Sequence, residues 1–122
     1  MNNKLIEDIY PLSPMQQGML FHSLYAPNSG IYVIHLSFEI HGKLDIYTFE
    51  HAWQLVINKY QILRTAFVWE KVEQPLQVVG RQVKVPMILI DWQSLEASRQ
   101  NRQLEELLQA QHQQGFNFTK AP

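Results

Sequence analysis

Residues 13–21 read Ser-Pro-Met-Gln-Gln-Gly-Met-Leu-Phe. This stretch predicts a helix, because the side-chain oxygen of Ser13 can accept a hydrogen bond from an early helix amide and Pro14 suits the first turn. Its apolar residues recur at helical spacing as far as Tyr25, and a turn-forming cluster at residues 27–30 then ends the pattern. We therefore expect a helix from Pro14 to about Tyr25.

After this helix the hydrophobic period changes to that of a strand. Residues 32–40 alternate with a period of two, which is typical of a strand with one apolar face. Gly42 ends the pattern, and Asp45 is well placed to cap a second helix. A broad apolar stripe along that helix predicts that it packs against another element. The stripe consists of Ile46, Phe49, Ala52, Trp53, Val56, Ile57 and Tyr60.

The rest of the chain predicts a meander of strands and one more helix. Strand-like runs occur at residues 64–70, 76–79 and 83–92. They predict antiparallel strands beside the first one. A third helix starting near Ser94 has few apolar residues and is expected on the outside. The tail contains Phe116 and Phe118, for which the pattern offers no partner. We expect an α+β fold in which helices pack on a mostly antiparallel sheet.

The composition restricts the class of protein. With 46% hydrophobic and 17% charged residues, the 122 residues suit one ordered domain. There is no cysteine, and the five histidines lack metal-ligand spacing, so we expect neither a disulfide nor a metal site. Ten basic and eleven acidic residues are interspersed, which argues against nucleic acid as a partner. Because no apolar run approaches the roughly 20 residues of a membrane span, we expect a cytoplasmic protein without a membrane partner.

The chain contains two stretches, at residues 13–22 and at residues 63–67 (Leu-Arg-Thr-Ala-Phe), that resemble the first two signature motifs of condensation domains from nonribosomal peptide synthetases. The resemblance extends to the residues, their order and the separation of the two motifs. Residues that agree with these motifs are Ser13, Gln16, Leu20, Leu63, Arg64, Thr65 and Phe67. Residues that depart from the front of the second motif are Lys59, Tyr60 and Gln61. The resemblance covers essentially all 122 residues. It implies a fold like that of chloramphenicol acetyltransferase, of which this chain would be most of the N-terminal half.

The resemblance also implies an activity. Condensation domains form peptide bonds between aminoacyl or peptidyl groups carried as thioesters on carrier proteins. Their catalytic motif, His-His-x-x-x-Asp-Gly, is expected beyond Pro122, so this chain would hold no catalytic residue and be inactive alone. His41 and Asp45 share the spacing of the motif's second histidine and aspartate, but Ile40 and Ile46 replace its other members. We interpret His41 as a solvent-exposed residue and Asp45 as a helix cap.

Four residues are candidates for supporting roles. Arg64 lies between apolar neighbours, and the residues alone leave it either on the surface or in the interior with a carboxylate partner. By resemblance, its partner is the aspartate of the catalytic motif, so that Arg64 supports the catalytic loop. Arg64→Ala would then lower the stability and activity of the complete domain and change the stability of these 122 residues much less. The resemblance also makes Gln16, Gln17 and Met19 possible lining residues of the acceptor tunnel, although methionine at helical spacing is also typical of a core.

The partners implied by the resemblance are peptidyl or aminoacyl carrier proteins, the remaining half of the condensation domain and neighbouring synthetase domains. The 4′-phosphopantetheine arm belongs to the carriers, and no cofactor is expected on this chain. Three alternatives stay open. They are a non-catalytic carrier-protein interaction fragment, an epimerisation, cyclisation or acyltransferase relative of the same fold, and an unrelated α+β interaction domain. If the strands that cover the apolar faces of the sheet and the second helix lie in the rest of the domain, these faces are exposed in the present chain. We then expect the chain to bind hydrophobic dyes or to self-associate.

Overall fold

The computed structural model describes residues 5–122 and combines helices with an antiparallel sheet, which confirms the predicted α+β class. The helices are α1 (Pro14–Tyr25), α2 (Ile46–Lys59) and α3 (Ala97–Gln114), and a 3₁₀ turn covers Gln61–Arg64. The strands are β1 (Ile6–Pro11), β2 (Thr65–Val68) and β3 (Leu76–Gly80). Within residues 5–122, none of the helices combines the length and the hydropathy needed to cross a membrane.

The described residues divide into two compact units. The first unit comprises residues 5–17, 39–87 and 117–122, and it contains the sheet and α2. The second unit comprises residues 18–38 and 88–116, and it contains α3 and most of α1. The sheet and the motif at residues 63–67 therefore belong to the same unit.

The sheet of the first unit has the strand order β1-β3-β2, and both pairings are antiparallel. Val79, in the central strand β3, is fully buried, and Leu12 and Ile57 are buried as well. Gln77 is a buried polar residue of the same strand. The β2–β3 hairpin confirms the strands predicted in the runs 64–70 and 76–79, with shorter limits for β2.

Strand β1 is not predicted by the sequence pattern. Ile6 lies opposite Gly80 and Asp8 opposite Val79, so Glu7 is an extra residue without a counterpart on β3. Such a β-bulge breaks the period of two by which a strand is recognised. The order of elements consequently begins with a strand rather than with α1.

Two predicted strands are wrong in this structure. Residues 32–40 and 83–92 form no strand, and the positions beside β3 are taken by β1 and β2. Ile34, Leu36 and Phe38 are 80%, 77% and 78% exposed. Alternation of side chains defines two faces of an extended chain, but a strand also requires a backbone neighbour with which to exchange hydrogen bonds. The sequence pattern shows the alternation of side chains but does not specify a neighbouring strand.

The starts of α1 and α2 follow local signals, whereas α3 begins at Ala97, after the predicted start near Ser94, and its N-cap Glu96 makes no side-chain cap hydrogen bond. Ser13 Oγ accepts a hydrogen bond from the Gln16 amide at 3.2 Å, and Gln16 Oε1 accepts one from the Ser13 amide at 2.8 Å. This reciprocal pair is a capping box at the start of α1. Asp45 Oδ1 accepts from the Thr48 amide at 2.7 Å and caps α2 as predicted. Gly115 follows α3 with a φ of 61°, a left-handed value that glycine adopts without strain.

The tail differs from the expectation of two unpartnered aromatic residues. The Phe118 ring packs edge-to-face on Phe67 with the ring centroids 6.4 Å apart. The Phe118 carbonyl oxygen also accepts a hydrogen bond from the Phe67 amide at 2.7 Å. Phe116, in contrast, is 61% exposed. The expectation was therefore wrong for Phe118, which joins the tail to β2.

Candidate functional site

Arg64 is a buried cation at the end of the 3₁₀ turn in the first unit, with 5% of its surface exposed. Its Nε donates a hydrogen bond to the Ile57 carbonyl oxygen at 3.1 Å. Its Nη1 donates to the Gly80 carbonyl oxygen and to Glu7 Oε2, each at 2.5 Å. These partners lie on α2, β3 and β1, so one guanidinium joins three elements. Of the two positions considered for Arg64, the structure shows the interior one.

The contact between Arg64 and Ile57 stabilises the end of α2. The last four carbonyl groups of a helix lack intrahelical partners, and the helix dipole gives this end a partial negative charge. The Ile57 carbonyl belongs to that last turn, since α2 ends at Lys59. A buried guanidinium here both satisfies a carbonyl oxygen and places positive charge at the favourable end of the helix.

Glu7 supplies the negative charge that Arg64 requires. Glu7 Oε2 accepts from Arg64, and Glu7 Oε1 accepts from Gln61 Nε2 at 2.7 Å. The hydrogen bond from Arg64, followed by the one from Gln61, lowers the pKa of Glu7 below its ordinary value of 4.5. Glu7 is consequently ionised at neutral pH and forms a charge-assisted pair with Arg64.

Glu7 is a partner of Arg64 that the sequence pattern did not reveal. The resemblance implies an aspartate beyond Pro122, whereas the structure provides a carboxylate 57 residues before Arg64. The sequence pattern did not reveal Glu7 because the bulge at this residue interrupts the alternation by which β1 would be recognised as a strand. Since Arg64 holds three partners within this chain, the expectation of a small stability effect for Arg64→Ala is replaced by one of a large effect.

The candidate tunnel residues lie on α1 and have different surroundings. Gln16 takes part in the capping box, and its Oε1 accepts from the buried Gln77 amide at 3.1 Å. Gln17 is exposed, and its Nε2 donates to the Leu12 carbonyl oxygen at 3.3 Å. Met19 is 39% exposed, so part of its side chain is accessible. Gln16 and Gln17 therefore have structural hydrogen bonds, whereas Met19 presents an accessible apolar surface.

His41 and Asp45 behave as the sequence interpretation proposes. The His41 side chain is 85% exposed and lies 3.7 Å from Glu39 Oε1. Hydrogen bonds from Thr48 lower the pKa of the Asp45 carboxyl, which fits its role as a helix cap. Between residues 5 and 122, no group of three or more side chains is arranged as a metal site.

The second unit contains an open depression of about 520 Å³, lined by residues of α3 and by His35. The rings of His35 and His112 lie 5.8 Å apart there. A side chain at Gly30, where φ is 70°, would overlap the His112 ring. The proximity of these histidines could not be predicted, because residues so far apart in the chain carry no local signal of contact.

Arg64 and its acceptors form a site that holds and orients a carboxylate. A guanidinium remains protonated and donates only, so Arg64 cannot act as a general base. The hydrogen bonds of the Arg64 guanidinium with Ile57, Glu7 and Gly80 use Nε and Nη1, and within residues 5–122 no acceptor is found for Nη2. The chemistry of this cluster is therefore positioning rather than proton transfer.

The comparisons with known proteins agree on one family. A profile described as "Condensation domain" matches residues 6–122. The chain is 46% identical over 120 residues to one of the linear gramicidin synthase subunits of Brevibacillus parabrevis, covering 98% of this chain and 2% of the relative. It is 38% identical over 120 residues to surfactin synthase subunit 2 of Bacillus subtilis (strain 168), covering 98% of this chain and 3% of that relative. The chain thus spans a few per cent of the length of these much longer relatives.

Proposed function

This chain belongs to the condensation-domain family, and on that premise we propose that it is the N-terminal part of a domain that forms peptide bonds in nonribosomal peptide synthesis. The observation that carries the proposal is the family match over residues 6–122. The relatives support it, because they are named as synthases of linear gramicidin and surfactin. The proposed setting is a cytoplasmic synthetase that makes an antibiotic or a similar secondary metabolite.

The proposed reaction is an acyl transfer from sulfur to nitrogen. The amine nitrogen of the acceptor aminoacyl group attacks the thioester carbonyl carbon of the donor. A carbon–nitrogen bond forms, the carbon–sulfur bond breaks, and the donor carrier keeps the thiol while the attacking amine loses a proton. Both substrates arrive on 4′-phosphopantetheine arms of carrier proteins, so the chain itself needs no cofactor.

The proposed catalytic histidine belongs to the His-His-x-x-x-Asp-Gly motif, which we place beyond Pro122, with the second half of the domain. In that arrangement Arg64 supports the catalytic loop by donating to the aspartate of the motif. Its burial and its contacts with Ile57 and Gly80 support this role, because a guanidinium held at Nε and Nη1 presents Nη2 in a fixed direction.

The acceptor tunnel is proposed to run along α1. Met19 is the residue whose partly exposed, flexible side chain suits contact with a flexible arm. Gln16 and Gln17 would act at the same tunnel by fixing the start of the helix, since their amide groups bond Ser13, Gln77 and Leu12. Substitution of Met19 by a charged residue should then weaken use of the acceptor carrier more than use of the donor carrier.

The test is condensation by the complete domain that contains this chain. Purified donor and acceptor carrier proteins are loaded with aminoacyl groups, mixed with the domain and analysed for an elongated thioester by mass spectrometry. We expect amide product with the complete domain and none above background with residues 1–122 alone. A product with altered stereochemistry or a heterocycle would identify an epimerisation or cyclisation relative, and tight carrier binding without product would identify an interaction fragment.

A further inference from the structure

We propose that Glu7 is a positioning residue that fixes the Arg64 guanidinium, and that the β-bulge in β1 directs the Glu7 side chain to it. The two residues are far apart in the chain and are joined by a charge-assisted hydrogen bond. The effect on catalysis rests on the proposed function, because it acts through Arg64. The contact between Glu7 and Arg64 is a property of the first unit and does not depend on that function.

The bulge is the first observation that supports this role. Ile6 pairs with Gly80 and Asp8 pairs with Val79, which leaves Glu7 as the inserted residue. In a regular ladder, Glu7 would have a counterpart on β3 and its direction would follow the pleat. An inserted residue is freed from that alternation, and bulges commonly redirect a side chain in this way. Here the redirected carboxylate reaches a guanidinium that also contacts the Gly80 carbonyl oxygen.

The charges of the cluster are the second observation. Two acceptors of Arg64, the carbonyl oxygens of Ile57 and Gly80, are neutral, and Glu7 is the acceptor that carries a negative charge. For a buried guanidinium without such a partner, most of the desolvation cost remains uncompensated. Glu7 therefore supplies the charge compensation that the carbonyl oxygens of Ile57 and Gly80 do not, and it helps to hold Arg64 in this position.

The hydrogen bond from Gln61 is the third observation. One oxygen of the Glu7 carboxylate accepts from Arg64 and the other accepts from Gln61. Gln61 and Arg64 are the first and last residues of the same 3₁₀ turn. Glu7 thus contacts both ends of the turn that carries Arg64. These contacts fix the backbone of the turn as well as the Arg64 guanidinium.

The experiment uses the complete condensation domain with the substitution Glu7→Gln, which keeps the size of the side chain and removes its charge. Asp8→Asn is the matched control, since Asp8 is an exposed neighbour on β1 whose Oδ1 accepts from the Ile9 amide. We expect Glu7→Gln to lower kcat about tenfold with KM unchanged, because it disturbs positioning without touching substrate. We expect Asp8→Asn to stay within about twofold of the original protein. Rates are divided by the folded fraction measured by circular dichroism.

A double-substitution cycle separates positioning from a general loss of stability. If Glu7 acts through Arg64, then Glu7→Gln should lower kcat much less in an Arg64→Lys background than in the original protein. A kcat per folded molecule that is unchanged in Glu7→Gln, or losses that simply multiply in the double variant, would overturn the proposal.

A spectroscopic measurement keeps the test independent of the proposed function. In nuclear magnetic resonance spectra, the Arg64 Nε–H should exchange slowly with solvent, because Nε donates to Ile57 in the interior. Glu7→Gln should accelerate this exchange about tenfold, and Asp8→Asn should not. If the original domain makes no amide, the proposed function fails, yet the exchange rate still shows whether Glu7 holds Arg64. Equal exchange rates in the original protein and in Glu7→Gln would refute the positioning role.

Discussion

The cluster around Arg64 differs from the extended segment at residues 32–38 in the kind of side chain that is buried. In the first unit, a charged side chain is buried and its hydrogen bonds to three elements are polar and directional. In the second unit, the apolar side chains of Ile34, Leu36 and Phe38 are mostly exposed. Burial therefore follows the presence of partners in this protein rather than the hydrophobicity of the residue.

The difference shows what each region needs for stability. The Arg64 cluster has its acceptors within the chain, since β1, α2 and β3 supply them. The segment at residues 32–38 has strand periodicity without a strand, so its apolar face gains little by burial. We expect substitutions in the first region to cost far more stability than substitutions in the second.

The largest effect is expected for Arg64→Ala. The substitution removes the ionic partner of Glu7 and leaves the carbonyl oxygens of Ile57 and Gly80 without their donor. We expect a loss of about 2–4 kcal/mol in the free energy of unfolding, measured by urea denaturation. Arg64→Lys should recover only part of this, because an ammonium cannot reach three acceptors in the fork geometry. A loss below about 1 kcal/mol would mean that the cluster is weaker than its burial indicates.

The next largest effect on stability is expected for Val79→Ala. Val79 is fully buried in the central strand, and the change removes two methyl groups from the core of the first unit. We expect a loss of about 2 kcal/mol in the free energy of unfolding, from lost transfer energy and a small cavity. Leu36→Ala removes more apolar atoms from an exposed position and serves as the comparison. Equal losses for the two variants would show that residues 32–38 are covered in solution.

The pH dependence of stability should reveal the Glu7 contact. Because the folded pKa of Glu7 is lower than 4.5, its contribution is fully present above pH 4.5 and is lost as the pH falls through the folded pKa. Glu7→Gln should flatten this part of the curve of urea midpoint against pH. The effect should be smaller than that of Arg64→Ala, since the contacts of Arg64 with Ile57 and Gly80 remain. Identical curves for Glu7→Gln and the original protein would exclude a stabilising pair.

The smallest effect on stability is expected for the double substitution Leu36→Ser with Phe38→Ser. Both side chains are more exposed than buried, so the free energy of unfolding should change by less than about 0.5 kcal/mol. The same variant should bind less of a hydrophobic dye and self-associate less, as measured by fluorescence and analytical ultracentrifugation. Unchanged dye binding would place the exposed apolar surface elsewhere on the chain.

Local features could be predicted from the sequence, because their causes lie within a few residues. The Asp45 cap depends on an amide three residues away, and the start of α1 depends on Ser13 and Gln16. The β2–β3 hairpin likewise follows from two short runs joined by a polar turn. The family resemblance, carried by residues 13–22 and 63–67, was confirmed by the match over residues 6–122.

Contacts between distant residues could not be predicted in the same way. Strands 32–40 and 83–92 were inferred from alternation, which does not specify a neighbour, and β1 was missed because Glu7 interrupts its alternation. The burial of Arg64 was left open, and its partner Glu7 was not found, because an ion pair across 57 residues has no signature in spacing. The roles of Gln16, Gln17 and Met19 at a tunnel remain predictions of the resemblance.

The contact between Phe118 and Phe67 has a consequence for the edge of the sheet. In the order β1-β3-β2, strand β2 lies at an edge, where free amides can pair with strands of other molecules. The Phe118 carbonyl oxygen accepts a hydrogen bond from the Phe67 amide within this short strand, and the Phe118 ring packs on the Phe67 ring. The tail thereby occupies one of the amides of this edge strand, which should hinder pairing of β2 with strands of other molecules.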